Sequence, residues 1–412
     1  MKRVPLESLN RRSFLKVAGT AAVGLPNIIT SNALGANGVP AASGRIVMAG
    51  LGMGGRGQGV LGEFLNFKEI QVVAVNDVQK NNLKGAEKRV NGKYGNTDCA
   101  TYEDYREVLA RSDIDMVFCG APDHWHAQMM VDACKAGKDV MCEKPLTLTI
   151  GEGRKIVDAA RQYGRIAAGG SQRVLQDFGR AACAANSGRF GKVLSANANP
   201  GGPPRPCYLP GQPVPDNINW DLWLGPAPWA EYHAYRCGRA YNLGGKGFRT
   251  WEDYSGGMMT DWGGHKFGAA LHGLKVDHTG PSEIRPPKDG EPLTYVFADG
   301  KTLKVQDGPA FVCEDGNAEK NSIRDLKVPA GLRWYSGGAN SLVGDFIHCV
   351  KTRQSPFRDV EWAHRTATVC HLGNIALKLK RPLKWDPVKE DFIDDAEASR
   401  MVDRPRRGPW QI

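Results

Sequence analysis

The chain has no C-x-x-C pair among its ten cysteines and no cysteine/histidine spacing of a zinc module. Neither a redox dithiol nor a metal site is therefore expected. Cys119 and Cys142 fall in apolar, strand-like runs and read as small buried hydrophobes. Cys207 and Cys237 lie in loop-rich sequence, where spacing alone leaves a disulfide open. Long apolar runs are also missing. The Ala/Gly-rich stretch from Val17 to Ile29 is too short to span a bilayer comfortably and is interrupted by Pro26. Nor is there a dense basic stripe or a nucleic-acid motif. The formal charge is +10, but residues 1–43 carry Lys2, Arg3, Arg11, Arg12 and Lys16 against Glu7, which leaves about +6 spread over the remainder. No nucleic-acid partner is expected.

What the 412 residues hold in surplus is glycine, 50, and proline, 25. With apolar residues plentiful throughout, that surplus implies many tight turns rather than disorder. The length exceeds what one core fills, so two domains are expected. Arg11-Arg12-Ser13-Phe14-Leu15-Lys16, the apolar stretch and the small residues Ala33-Leu34-Gly35-Ala36 together resemble a twin-arginine export signal, with Asn10 where Ser or Thr is usual. The expectation is a periplasmic protein exported already folded. No membrane association is expected beyond this signal, which anchors the protein only if left uncleaved. A basic amphipathic helix of a cytosolic protein is the alternative.

Arg45–Ala49 reads as a buried parallel strand and runs straight into Gly50-Leu51-Gly52-Met53-Gly54-Gly55, a G-x-G-x-x-G. Gly50 permits the tight turn, Gly52 lets backbone approach a pyrophosphate, and Gly55 lets the next helix pack closely. The pyrophosphate then sits on the free N–H groups of that helix. A second strand, Ile70–Val75, ends at Asn76-Asp77, an acid about twenty residues past the glycines, where adenosine ribose hydroxyls are held. Asp77 repels a 2′-phosphate and so favours NAD, while nearby Arg56 softens that preference and keeps NADP open. The alternation continues through a helix at 105–110, a strand at 115–120, a helix at 128–136, a strand at 139–142, a helix at 150–163 and a last strand opening at Ile166. It predicts a doubly wound parallel sheet with ligands at the strands' C-terminal ends.

The glycine strand, Pro122-Asp123-His124-Trp125-His126, Glu143-Lys144-Pro145 and Asp261-Trp262-Gly263-Gly264-His265 resemble the Gfo/Idh/MocA family, which includes glucose–fructose oxidoreductase and inositol dehydrogenase. The resemblance spans essentially all of the chain after the leader. It implies catalytic positions at Lys144, Asp261 and His265, with hydride passing between a carbinol carbon and nicotinamide. It also implies a cofactor pocket drawn from Gly50, Gly52, Met53, Gly54, Gly55, Arg56, Asp77, Pro122, His126, Glu143 and Lys144. The residues themselves agree. A lysine just beyond a strand's C-terminal end can polarise a hydroxyl and stabilise alkoxide charge. Asp261 and His265 are four apart, so a shared helix would put both on one face, the carboxylate fixing the tautomer of the base. The two glycines between them weaken that helix. Many relatives carry an acid three positions after the histidine. This chain has Gly268 there, and Lys266 beside the base would lower its pKa if close.

The domain boundaries implied are a leader and linker at 1–43, a Rossmann domain at 44–169, an α+β domain at 170–385 and a surface tail at 386–412. By resemblance the second domain is a large, open, mostly antiparallel sheet whose uncovered face serves a homo-oligomer, dimer or tetramer. Trp220, Trp223, Trp229, Trp251 and Trp262, with Tyr232, Tyr235, Tyr241 and Tyr254, suit the C–H faces of sugar rings or simply pack a loop-rich region. A helix is expected over 359–379 with Asp359 as its cap and His364 and His371 structural. Three functions are in view. The first is an NAD-dependent oxidoreductase acting on a hydroxyl of a sugar, sugar derivative or cyclic polyol, its cofactor tightly held and recycled. The second is a redox-neutral NAD-dependent glycosidase working by oxidation, elimination and reduction. The third is a non-catalytic dinucleotide-binding protein.

Overall fold

Short apolar runs separated by helices pair in register in the computed structural model, which describes residues 40–41, 44–174, 177–238, 247–322 and 341–412. Residues 1–39, where the sequence predicts an export signal, and Tyr241 lie outside the described residues. The chain alternates through β1 (Ile46–Leu51), α1 (Gly55–Phe64), β2 (Ile70–Asn76), α2 (Lys80–Tyr94), β3 (Ala100–Tyr102), α3 (Tyr105–Leu109), β4 (Met116–Cys119), α4 (Asp123–Lys135), β5 (Asp139–Glu143), α5 (Ile150–Gln162) and β6 (Ala167–Gly170). The six strands are parallel in the order β3-β2-β1-β4-β5-β6. Strand order reverses between β1 and β4, which opens a crevice at their C-terminal ends. Every residue of β4 and β5 is buried, as expected of strands covered on both faces. Sequence reading missed α2 and β3: α2 buries only Ala86 and Val90 and shows little apolar periodicity, and β3 is three residues long.

The second layer is an eight-stranded sheet built from β7 (Val193–Asn197), β8 (Glu283–Arg285), β9 (Thr294–Val296), β10 (Thr302–Lys304), β11 (Phe311–Cys313), β12 (Gly316–Ala318), β13 (Leu383–Asp386) and β14 (Asp391–Phe392). Its order is β12-β11-β7-β10-β9-β8-β13-β14, antiparallel except for β7 against β10. The helices that follow β6 are α6 (Asp177–Ala185), α7 (Trp220–Leu224), α8 (Ala234–Cys237), α9 (Gly257–Asp261), α10 (Gly263–Leu274), α11 (Leu342–Thr352), α12 (Val360–Leu379) and α13 (Ala396–Ser399). Phe267 and Leu271 of α10 and Val369 and Leu372 of α12 share one core with Tyr295, Leu303 and Phe311 of the sheet. Val360, Ala363 and Ala367, at the other end of α12, belong instead to the core of the parallel sheet. One helix thus cements both layers, and residues 46–412 form a single compact unit. Asp359 caps α12 by accepting from the Glu361 N–H. His364 pairs with Glu390 and His371 bonds the Thr147 carbonyl, both structural as expected.

Residues 386–412 do more than cover the surface. They add β14 and α13, and Trp410, 4% exposed, packs edge-on to Trp125 with centroids 4.8 Å apart. Sequence could not show this, because a lone tryptophan among prolines and arginines carries no periodicity. All ten cysteines are free, and Cys207 Sγ accepts a hydrogen bond from Arg236 instead of meeting Cys237. Among the described residues no helix is long and apolar enough to cross a membrane.

Candidate active site at the C-terminal edge of the parallel sheet

At the end of β1 the chain must turn sharply under the start of α1, and glycine makes this sterically feasible. Gly52 has φ +68°, and a Cβ there would stand 2.5 Å from the Ala121 backbone. The close approach of α1 to the sheet, implied for Gly55 by its place in the motif, is not there, since Gly55 is exposed. It is made by Gly57 and Gly120, where a Cβ on Gly120 would stand 2.7 Å from the Gly57 Cα. Gly52, Gly54, Gly55, Arg56, Asp77 and Pro122 line a cavity of about 590 Å³, within the range of small-molecule sites. Gly50 and Met53 lie beneath the turn, with the Met53 side chain fully buried. Asp77 accepts from the Gln79 N–H at 2.8 Å and from Asn82 at 3.3 Å. Burial nevertheless pushes its carboxyl up to about 6. The residues present therefore fit a dinucleotide: a glycine turn for the pyrophosphate and a buried acceptor for the ribose. The far wall comes from the second layer, through Leu222, Trp223, Phe248 and Arg249. Asn217–Asn219 bridges onto the loop after β2, with the Asn219 N–H donating to the Val78 carbonyl and the Lys80 N–H to the Asn217 carbonyl, each at 2.9 Å. Asn219 Nδ2 adds a bond to Glu103 at 2.6 Å.

Lys144 follows β5 directly, and its Nζ donates to Asp261 Oδ1 at 2.6 Å. The Arg249 guanidinium reaches the same oxygen at 2.8 Å. Burial would raise the Asp261 carboxyl, but these two cations outweigh it and hold it well below the usual carboxylate range. Asp261 therefore anchors Lys144 rather than His265, which corrects the tautomer role expected for it. The reason is local: α9 ends at Asp261 and α10 begins at Gly263, so the pair does not share one uninterrupted helix. His265 instead places Nδ1 2.7 Å from the hydroxyl of Ser171, which also lies 3.0 Å from the Gly264 carbonyl. Burial, reinforced by the Lys144 charge, pulls His265 down to about 3, so it is neutral at physiological pH. Lys266, which would depress the base if close to it, is engaged with the Asn199 carbonyl at 2.5 Å. A side chain at Gly268 would meet Val174 at 2.9 Å and Arg358 at 3.4 Å, so an acid has no room there.

Glu143 and Arg56 are joined at 2.8 Å, which ties the start of α1 to the end of β5. His126 is fully inside, with Nδ1 2.6 Å from the Pro145 carbonyl and Nε2 2.8 Å from the Ala121 carbonyl. It thereby links the loops after β4 and β5. Cys119, His126 and Cys142 bring ligand atoms within 4.8 Å of one another. Both ring nitrogens of His126 face carbonyls, however, so neither is aimed at the sulfurs. His124 is buried against Trp223 and Tyr254. Trp220 and Trp223 stack at 4.8 Å and form a small core with Tyr254, so most of the aromatic segment is packing. Trp262 instead lies beside the site, with Arg173 4.9 Å over its ring. Ser171 and Arg249 were missed. Ser171 carried a usable signal, since it is the first residue after β6 in a sheet whose strand ends hold the ligand. Arg249 carried none, since its place beside Asp261 is set by an irregular loop.

The geometry can be set beside known proteins. Residues 44–170 match the NAD-binding Rossmann fold of an oxidoreductase family, and residues 206–331 and 336–412 match the α/β C-terminal domain of that family. Among curated relatives, an alpha-N-acetylgalactosaminidase of Shewanella oneidensis is 32% identical over 177 residues. That match spans 38% of this chain and 38% of the relative's length. Among solved structures, myo-inositol 2-dehydrogenase from Lactobacillus plantarum superposes with TM-score 0.57 at 16% identity, covering 82% of this chain and 99% of that one. An aldose-aldose oxidoreductase from Caulobacter crescentus complexed with glycerol gives 0.53 at 17% identity, covering 82% and 99%. Both likenesses show the fold alone. With its order of parallel strands, its glycine turn and its second sheet, the chain belongs to the Gfo/Idh/MocA oxidoreductase family and carries that family's NAD-binding domain.

Proposed function

We propose that this protein is an NAD-dependent oxidoreductase acting on a hydroxyl of a sugar, sugar derivative or cyclic polyol, with its cofactor tightly held and recycled. The observation that carries it is the convergence of Lys144, Asp261 and His265 where Arg249 joins the dinucleotide cavity to Asp261. NAD bound in that cavity supplies a hydride acceptor. His265, neutral and with no protein partner among the described residues at Nε2, takes the hydroxyl proton. The Lys144 ammonium, fixed by Asp261, stabilises the oxygen as negative charge develops on it. Arg249 is a second anchor for that carboxylate, so Lys144 is pre-oriented before any substrate enters.

Tight retention is supported by the bridge from Asn217–Asn219 to the loop holding Asp77. It also accords with the export proposed for residues 1–43, because no maintained pool of soluble NAD exists outside the cytoplasm. Two schemes regenerate the cofactor in place: oxidising one sugar while reducing another, or a redox-neutral glycoside cleavage. The likeness to an alpha-N-acetylgalactosaminidase favours the second as the alternative reading. A homo-oligomer through the open sheet face, where Leu194 of β7 is 43% exposed, completes the proposal.

The test is to purify the protein without added cofactor, denature it and identify the released small molecules by mass spectrometry. Stoichiometric NAD(H) is expected. Incubation with glycosides in the absence of added NAD then separates the two schemes, since aglycone release belongs to the cleavage reaction alone. A preparation that neither carries nor binds NAD on titration overturns the reading.

A further inference from the structure

We propose that Ser171 is a positioning residue that sets the tautomer of His265, holding the proton on Nδ1 and leaving the lone pair on Nε2. Ser171 is 2% exposed, and its hydroxyl has one proton and two polar neighbours: the Gly264 carbonyl at 3.0 Å and His265 Nδ1 at 2.7 Å. A carbonyl only accepts. If the serine proton goes to the carbonyl, both contacts are hydrogen bonds only when Nδ1 carries its own proton and donates to Oγ. In the opposite tautomer two acceptors compete for that proton, and one contact fails between two buried side chains. The charged groups facing His265 are Lys144 beyond β5, Asp261 at the end of α9, Arg173 in the turn after Ser171 and Arg56 on α1. None of these makes a hydrogen bond to Nδ1. Asp261 is committed to Lys144 and Arg249, so a neutral hydroxyl performs the orienting task for which a carboxylate was expected.

The catalytic consequence rests on the reading of His265 as the base, but the tautomer itself does not. It is therefore measured in the resting, full-length protein without substrate. The probe is protein labelled with 15N in its histidine rings, examined by long-range 15N–1H correlation at neutral pH, with the His265 signals identified by their loss in His265→Gln. The wild type should show His265 protonated at Nδ1. Ser171→Ala should reduce the ratio of the Nδ1–H to the Nε2–H form by about tenfold, the worth of one buried hydrogen bond. Ser171→Thr, which keeps the hydroxyl, should restore it. A wild-type spectrum with the proton on Nε2 overturns the proposal without any variant having to fold. An unchanged ratio in a folded Ser171→Ala protein overturns it as well. Either result leaves the NAD and glycoside measurements to decide the reading of the reaction separately.

Discussion

Lys144 and Asp261 are joined by one short ion pair, yet removing each should have opposite consequences. Lys144→Met leaves Asp261 with its Arg249 partner, so the fold and dinucleotide binding should survive. Turnover should fall at least about a hundredfold, because the group proposed to stabilise the developing alkoxide is gone. Fluorescence titration with NAD, run beside an activity assay, checks both halves. Asp261→Asn removes the carboxylate shared by two cations in a buried site, which should cost on the order of 3–5 kcal/mol, read as a lower urea midpoint. Asp77 supplies a pH dependence. With its ionised form as the proposed acceptor of the ribose hydroxyls and its carboxyl raised to about 6, NAD affinity should fall as pH drops through that value. Calorimetric titration on both sides of it is the check, and Asp77→Asn should flatten the profile. The acids and glycines of this site were legible in the chain because their chemistry depends on residue type and on nearness to a strand end. The tautomer partner of His265 was not, because Ser171 and His265 are 94 positions apart and meet only through packing.

At the scale of elements, the contact that places α1 against the sheet runs through Gly57 and Gly120. Gly57→Ala would put a Cβ 2.3 Å from the Gly52 carbonyl oxygen, and should cost about 1–3 kcal/mol while displacing the pyrophosphate turn. Thermal unfolding and NAD affinity should therefore move together in this variant. The motif pointed to Gly55 for this contact because G-x-G-x-x-G is defined by spacing, whereas the steric limit falls where two backbones meet. The break between α9 and α10 follows a similar logic. An i, i+4 pattern can be read off Asp261 and His265, but an interruption at Trp262 appears only when the chain packs. By contrast, strands β1, β2, β4 and β5 were found almost in full, since continuous apolar runs need a sheet covered on both faces.

Across the whole molecule, the C-terminal residues couple back to the parallel sheet. Trp410 sits against Trp125 and Tyr105, with Arg106 over its ring at 4.8 Å. Trp410→Ala should destabilise the protein by about 3–5 kcal/mol, measured by urea unfolding, although it lies within three residues of the chain's end. What the sequence by itself determined is the alternation of strands β1, β2, β4, β5 and β6 with helices, the glycine turn after β1, the acid at the end of β2 and the lysine just beyond β5. Those depend on local periodicity and on side-chain chemistry, both carried by short stretches of chain. Tertiary structure alone decided which cations share Asp261, which hydroxyl orients His265, and how an irregular segment closes over the cofactor cavity. These contacts join residues far apart in sequence at distances of a few ångströms, and only the packing of two sheets around α12 brings them together.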